Sequence, residues 1–467
     1  MTRAKVLSIL ALALLLEGCM VGPNYKRPPV SVPDQYRGAP ASDSAAPANA
    51  AQATFAEMNL ATVFPDLTLQ ALLKEALTNN YDIRIAAARV MEAGATLGIT
   101  RANELPQINL AGSIQNQRTQ PTQGNVTSGV AAVDASWVLD FWGQYRRATE
   151  AARDNLLASQ YAQAAVQTTL IASVANAYFQ LREYDYQLDI SQQTLKADKD
   201  ILRINTIMVE GGESAITDQL QAELLVQQAE AQIISLQQAI EQTENQISIL
   251  LGRNPGPIAR GLQLTEAPHA PEVPAGLPSA ILERRPDVRQ SEELLAAANA
   301  NVGVAKAAFF PQFSLTAAFG VQSTALESFL GNGPTTAAWT LAGQALQPLY
   351  QGGRISSAYR LALAQRDEAE LSYRKIVLGA FGDVSNALVA YDKSRLYRVK
   401  LQEQTATYKE AARLANVRFQ GGYTAFLEVL VTQQQYFTSE LLLAQAWTTE
   451  MQNYVQLYQA LGGGWQK

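Results

Sequence analysis

The chain has 467 residues, of which 48% are hydrophobic and 17% charged, so it can bury a large core and is not a disordered protein. Its formal net charge of −6 argues against a nucleic-acid surface, which would need many phosphate contacts. One His (His269) and one Cys (Cys19) leave too few side chains for a His or Cys metal cluster, a Cys–His nucleophile or a disulfide framework. No phosphate-binding loop or paired-carboxylate motif stands out. We therefore expect no enzyme activity and no cofactor other than a covalent lipid.

The N-terminus predicts an export signal followed by a lipid anchor. A basic start precedes the apolar run 6–16, which is too short to span a bilayer as a helix. Residues 16–19 read Leu-Glu-Gly-Cys, which is similar to a bacterial lipobox. Residues 1–18 are thus predicted to be a signal peptide and Cys19 the lipidated residue, with a secreted protein that has an incidental Cys as the alternative. Residues 19–66 are predicted to be a lipidated, extended N-terminal segment, because they are rich in Pro, Ala and Ser.

The rest of the chain consists of a tandem repeat. Residues 144–252 and 354–462 share one layout, in which a long stretch ends at a Gly-Gly pair and a second stretch without Gly or Pro follows. The repeat extends upstream of both stretches. The predicted organisation is repeat 1 over 67–252, a Pro-rich connector over 253–278 and repeat 2 over 279–467.

Long helices are predicted in both repeats. Residues 144–210 contain no Gly or Pro, and at about 1.5 Å per residue this helix would be about 100 Å long. Such length indicates a coiled coil, a membrane span or a helical repeat, and the polarity of the stretch excludes the span. After each Gly-Gly pair, apolar residues recur at alternating spacings of four and three, which is typical of a left-handed coiled coil. An ordinary core face is the alternative, although matching stripes in both copies disfavour it. The stripe positions are Ala222, Val226, Ala229, Ile233, Leu236, Ile240, Thr243, Ile247 and Leu250 in repeat 1, and Leu430, Gln434, Phe437, Leu441, Ala444, Thr448, Met451, Val455 and Tyr458 in repeat 2.

Between the first helix of each repeat and its long helix, apolar and polar residues alternate. This period of two predicts β-hairpins at about 107–141 and about 312–349. Strands that are apolar on one face and polar on the other suit a membrane β-barrel, with a soluble sandwich as the alternative. Four strands cannot close a barrel, and lipid does not tolerate open edges, so an open pore needs at least three chains. The expected interfacial aromatic residues are Trp137, Phe141, Trp142, Phe309, Phe310 and Tyr350.

The run Gly-Cys-Met-Val-Gly-Pro-Asn-Tyr-Lys-Arg-Pro at 18–28 resembles the start of the TolC-like outer-membrane factors, in particular the NodT subfamily of efflux lipoproteins. The runs Arg-Pro-Asp-Val-Arg at 285–289 and Leu-Tyr-Gln-Gly-Gly-Arg at 349–354 are similar to motifs of that family's second repeat. The resemblance implies a mainly α fold with a membrane β part. Three chains would form a twelve-stranded outer-membrane β-barrel, with four strands each, continued by a long periplasmic α-helical coiled-coil barrel.

In function, the resemblance implies the exit duct of a tripartite efflux system in the outer membrane. The implied partners are a periplasmic adaptor (membrane fusion) protein, an inner-membrane pump of the resistance, nodulation and division (RND) type, two further copies of the chain and outer-membrane lipid. A channel for type I protein secretion and a structural periplasmic coiled-coil lipoprotein remain the alternatives.

Each Gly-Gly pair predicts the turn of a helical hairpin, because glycine can take the left-handed conformation that ends a helix. The resemblance implies that these tips contact the adaptor, and the matching residues are Gly211, Gly212, Ser214, Gly421, Gly422 and Thr424. At its periplasmic gate the family often has Leu-Asp-Ala-Gln-Arg, whereas residues 430–434 here are Leu-Val-Thr-Gln-Gln. We therefore expect the gate to close through other contacts. The candidates are Asp218, Glu428, Leu430 and Val431, with solvated helix ends as the alternative for both acids.

Overall fold

The computed structural model describes residues 20–37, 60–117, 126–266, 280–323 and 335–465, so the predicted signal peptide and Cys19 lie outside the described residues. From the N-terminus to the middle of the chain, the elements are α1 (Leu60–Val63), α2 (Leu67–Asn79), α3 (Tyr81–Ala102), β1 (Gln107–Gln117), β2 (Val126–Leu139), α4 (Gln144–Glu210) and α5 (Ile216–Leu250). After a 3-10 turn at Leu264–Glu266 come α6 (Ile281–Arg284), α7 (Pro286–Ala307), β3 (Gln312–Ser323), β4 (Thr336–Leu346), α8 (Arg354–Gln420) and α9 (Phe426–Ala460). The predicted mainly helical fold with two β-hairpins is confirmed.

The element bounds repeat along the chain. The long helices α4 and α8 have 67 residues each, and α5 and α9 have 35 residues each. A glycine with positive φ, Gly143 (76°) or Gly353 (84°), precedes each long helix. The helices after the Gly-Gly pairs begin at Ile216 and Phe426, because the residues before them, Ala215 and Ala425, are extended. Both hairpins begin where predicted but end two to three residues early, since β2 ends at Leu139 and β4 at Leu346. Pro348, which has no N–H to donate, follows the end of β4.

Contacts divide the chain into two compact units, and each takes parts of both repeats. The first unit comprises the described parts of Met1–Pro29, Ala88–Gln160 and Gln290–Lys375, and it contains β1 to β4. The second unit comprises the described parts of Val30–Ala87, Tyr161–Arg289 and Ile376–Lys467, and it contains both Gly-Gly turns. Sequence repeats and compact units therefore do not coincide.

In the first unit, the start of the described chain packs as an extended strap. Val21 N–H donates to the Trp142 carbonyl (3.0 Å), and Arg27 forms an ion pair with Glu292 (2.6 Å). Gly22 has φ +104° and lies so close to Gly303 that an added Cβ would be 2.5 Å from the Gly303 Cα. The strap therefore needs a glycine at position 22, both for its backbone conformation and for its close approach to Gly303.

In the second unit, the stripe predicted on α5 is buried at seven of its nine positions, and Ile233 and Leu250 are half-buried. The stripe predicted on α9 is buried from Ala444 to Tyr458. Nearer the turn this prediction is wrong, because Phe426 and Val429 are buried there instead. Of the predicted positions, Leu430, Phe437 and Leu441 are half-buried and Gln434 is exposed.

Candidate functional site: an apolar sheet face and two hairpin tips

The four described strands form one antiparallel sheet in the order β1-β2-β3-β4. Its register places Leu110 opposite Val133, Val133 opposite Phe319 and Phe319 opposite Trp339. These four side chains are 81%, 47%, 68% and 74% exposed, in that order. An exposed apolar row across a whole sheet marks a membrane surface or a partner surface.

Successive side chains of a strand point to opposite faces, so the polar residues that alternate with this row lie on the other face of the sheet. There the register pairs Asn109 with Asp134, and Thr340 lies two strands further along the same row. Each of the edge strands β1 and β4 has one neighbouring strand among the described residues. An edge of this kind can accept a strand from another chain.

The predicted interfacial aromatic residues lie in the first unit, mostly just outside the strands. Their ring contacts are Phe141 edge-on to Phe313 (5.3 Å), Trp142 stacked on Phe310 (4.8 Å) and Phe309 edge-on to Tyr359 (5.8 Å). Trp137 lies inside β2, and its Nε1–H donates to the Glu104 carbonyl at 2.9 Å. Tyr350 does not end β4 as predicted, because it lies four residues beyond the strand, where it is 89% exposed.

Both Gly-Gly turns have the same backbone geometry. Gly212 and Gly422 have φ of +76° and +72°. Glu213 N–H donates to the Met208 carbonyl (2.8 Å), and Tyr423 N–H donates to the Arg418 carbonyl (2.9 Å), which is the six-to-one bond of a Schellman motif. A Cβ at Gly212 or Gly422 would meet nothing within 4 Å, so the backbone conformation alone requires glycine there.

Side chains close the start of the following helix in both hairpins. The Ser214 hydroxyl donates to Asp218 Oδ2 (2.7 Å), and the Thr424 hydroxyl donates to the Glu428 carboxylate. Both acids lie in the first helical turn, where a negative charge interacts favourably with the helix dipole. Two predicted tip residues, Ser214 and Thr424, are thereby bonded to two predicted gate acids. Whether these acids close a gate stays a prediction.

A further charge at the second tip escaped the sequence analysis. Arg418 Nη1 donates to Glu428 Oε1 at 3.1 Å, and the two side chains are 57% and 40% exposed. The equivalent position before the first turn is Met208. Residues 430–434 lack the acid and arginine that the resemblance suggested, yet an acid–arginine pair exists across this turn. The sequence did contain a signal for this pair, because Arg418 is charged whereas Met208, at the equivalent position of the first repeat, is apolar.

A small apolar cluster supports the tips from below. It consists of Ala222, Ala415, Phe426 and Val429, with Ile201, Leu202 and Phe419 packed against it. The predicted gate residue Leu430 is half-buried, and Val431 is 43% exposed. Leu430 and Val431 lie outside the buried cluster, and their role in a gate stays a prediction.

No helix in the described ranges is both long enough and apolar enough to cross a bilayer. The sequence matches the family described as "Outer membrane efflux protein" over residues 72–253 and 277–463. It is 33% identical to the probable efflux pump outer membrane protein TtgC of Pseudomonas putida over 476 residues, covering 100% of this chain and 96% of that protein. It is 30% identical to the cation efflux system protein CusC of Escherichia coli over 469 residues, covering 100% of both chains.

Solved structures of two such proteins are also similar to this chain over nearly its whole length. A crystal structure of CusC has a TM-score of 0.84 at 30% identity and covers 96% of this chain and 100% of its own. The open state of the Neisseria gonorrhoeae MtrE outer membrane channel has a TM-score of 0.85 at 29% identity, with 96% of this chain and 98% of its own covered.

Proposed function

The chain belongs to the outer membrane efflux protein family, and from that membership we propose that the apolar sheet face is its membrane surface and the hairpin tips its docking surface. The protein is the outer-membrane exit channel of a tripartite efflux system, which works as a homotrimer with a periplasmic adaptor and an inner-membrane pump. We propose a pump of the RND type and transport without chemistry on the substrate. Relatives are named for different cargoes, toluene in one case and cations in another, so in our proposal the pump selects the cargo.

The row of exposed apolar side chains from Leu110 to Trp339 is the observation that carries the membrane assignment. In the proposed trimer, β4 of one copy pairs with β1 of the next, and twelve strands close without an edge. Closure is required because lipid cannot hydrogen-bond an unpaired strand edge. The polar face, which includes Asn109 and Asp134, then lines the lumen.

Two neighbouring residues of β1 test this assignment. Leu110→Lys should prevent stable trimers in the outer membrane, because a lysine on the lipid face costs about 2–4 kcal/mol near the bilayer midplane. The matched variant Asn109→Lys puts the same charge on the polar face and should leave the trimer intact. Membrane fractionation and native electrophoresis measure both variants, together with export of a dye in cells that carry the pump and adaptor. Equal trimer yields for the two variants would refute the assignment of faces.

The lipid anchor on Cys19 is a further part of the proposal. The ordered strap supports it, because Met20 lies against Gly143, close enough that an added Cβ at Gly143 would be 2.8 Å from the Met20 Cγ. Met20 thus packs in the unit that contains the strands, which is the unit that a lipid on the preceding residue would tether in our proposal. Cys19→Ser should abolish incorporation of labelled palmitate and still yield trimers, since the strands insert independently. Label in the Cys19→Ser protein would exclude this anchor.

A further inference from the structure

Three buried polar residues lie seven positions apart in the last third of α4. Ser191, Asp198 and Asn205 are 0%, 4% and 0% exposed. Residues at this spacing share one face of a helix in a coiled coil. The equivalent positions of α8 hold Leu401, Tyr408 and Ala415. The polar face is therefore a property of one repeat, and the shared architecture does not require it.

Asp198 differs from the other two in its surroundings. The Ser191 hydroxyl donates to the Gln187 carbonyl (2.8 Å), and the Asn205 amide donates to the Ile201 carbonyl (3.0 Å). Within the described residues, the Asp198 carboxylate has no hydrogen bond and no ion pair. Burial raises its pKa to about 6. The Asp198 oxygens are not among the fully enclosed side-chain atoms that lack a hydrogen-bond partner, whereas Asn205 Oδ1 is one of them, so the carboxylate reaches the cavity that it lines. A proton or a bound cation can neutralise a carboxylate in such a place.

Asp198 lines a cavity of about 30 Å³ in the second unit. The other lining residues are Thr194 from α4, Leu225, Gln228 and Ala229 from α5, and Gln433, Gln434 and Phe437 from α9. Gln228 and Gln434 are exposed, whereas Asp198 is buried, so the glutamines flank a way in from solvent. A water needs about 10–15 Å³ of such volume, so the cavity has room for a small ion with one water.

The lining determines which ion fits. Asp198 is the one titratable residue among those that line the cavity, and the remaining polar groups are a hydroxyl and three amides. Hard cations bind to oxygen atoms of this kind. No cluster of three or more His, Cys, Asp or Glu side chains that could hold a metal ion occurs among the described residues, so a divalent charge would stay unbalanced here. One carboxylate balances one positive charge.

We propose that this cavity binds one monovalent metal ion, held by the Asp198 carboxylate, by amide oxygens of the neighbouring glutamines and by water. The site joins α4, α5 and α9 below the hairpin tips. Ionic conditions in the periplasm would thereby influence how firmly the two hairpins are held together. The site goes beyond the proposed function and does not depend on docking at the tips.

Protons compete with the metal ion for the same carboxylate. The folded-state pKa of Asp198, about 6, lies above its ordinary value of 3.8. Without a metal ion the folded state therefore binds more protons than the unfolded state between these values, and stability falls as pH rises from about 4 to about 6 and then levels off. The loss corresponds to about a hundredfold change in the folding equilibrium of this region. A bound metal ion opposes the loss, because it stabilises the ionised form.

The test uses full-length trimer in detergent, with thermal unfolding followed across this pH range. Sodium chloride, potassium chloride and N-methylglucamine chloride are compared at equal ionic strength, since the organic cation is too large for the cavity. Relative to Asp198→Asn, the wild type should lose stability on going from low to neutral pH in the organic salt and should lose less in sodium or potassium. Asp200→Asn is the matched control, because the Asp200 side chain is 65% exposed, and it should behave as the wild type.

Two results with the wild type would overturn the proposal. An equal loss of wild-type stability in all three salts would mean that Asp198 binds protons only, and no loss in any salt would mean that its carboxylate is not buried in solution. Gln433→Met provides a second variant that keeps the carboxylate and the side-chain size. It should retain the pH dependence while reducing the difference between the metal salts and the organic salt. An unchanged difference would remove Gln433 from the site and contradict the proposed ligand set.

Discussion

The two hairpin tips share one backbone but differ in what lies beneath it. Both turns have a positive-φ glycine and the same six-to-one hydrogen bond. The first residue of the following helix, however, is Ile216 at one tip, 57% exposed, and Phe426 at the other, 2% exposed. The internal repeat therefore preserves the conformation of the turn. The first helical residue is packed into the core of the hairpin at the second tip, whereas at the first tip it is exposed and available to a partner.

The exposed side chains of the two tips also differ. The first tip exposes an apolar stripe, with Ile216, Leu220 and Leu224 between 56% and 57% exposed. The second tip carries the Arg418–Glu428 pair and a Tyr423 that is 81% exposed. Two similar hairpins thus present different chemistry, and an adaptor that meets both would distinguish them.

The largest difference is expected when the first helical residue is truncated. Phe426→Ala should destabilise the second hairpin by about 3–5 kcal/mol, because it removes a fully buried ring. Ile216→Ala should change stability by no more than about 0.5 kcal/mol, as is usual for an exposed position. Hydrogen exchange of residues 415–430 and 205–220 measures the two effects. Similar losses of stability at both tips would show that the trimer buries Ile216. They would contradict the proposed difference between the two tips.

The turn glycines should show a smaller effect that is the same at both tips. Gly212→Val or Gly422→Val places a β-branched residue at positive φ, at a cost of about 1–3 kcal/mol. Trimer yield should survive while drug efflux falls, because the tips dock the adaptor in our proposal. Gly379→Ala is the control and should retain efflux, because Gly379 lies in α8 away from the tips, lacks a positive φ and has nothing within 4 Å of an added Cβ. Normal drug resistance in both valine variants, at normal protein levels, would rule out the docking role.

The ion pair at the second tip should contribute less. Arg418→Met copies the residue of the first tip, and with Glu428→Gln it completes a double-mutant cycle. Because both side chains are exposed, the coupling should be about 0.2–1 kcal/mol and should weaken with salt. Stability of the hairpin by hydrogen exchange at low and high salt measures it. A coupling of several kcal/mol would indicate that the trimer buries the pair.

The smallest expected effect concerns the gate. Residues 430–434 lack the acid and arginine suggested by the resemblance, so closure should depend little on pH, and the resting channel should be nearly shut. Single-channel recording of the purified trimer across pH measures this, with Asp218→Asn and Glu428→Gln as variants. A steep rise in conductance on acidification, absent in either variant, would instead make these acids the gate.

Sequence patterns predicted best those features that depend on the local chain. The stretches 144–210 and 354–420 match α4 and α8, because glycines that break the helical conformation mark both ends of each. The start of the α9 stripe was wrong because packing around Phe426 decides which residue is buried there. The Arg418–Glu428 pair joins residues on opposite sides of a turn, where no period reveals it. The buried position of Asp198 likewise depends on three helices that are separate in sequence.

The open edges of the sheet have a genetic consequence. A chain whose β1 or β4 edge cannot pair prevents closure of every trimer that it enters, since each copy in a closed ring contacts both neighbours. In a cell that makes equal amounts of normal and edge-defective chains, random mixing would leave about one ring in eight wholly normal. Edge defects in this protein should therefore be dominant, whereas a defect that prevents a chain from reaching the membrane should be recessive.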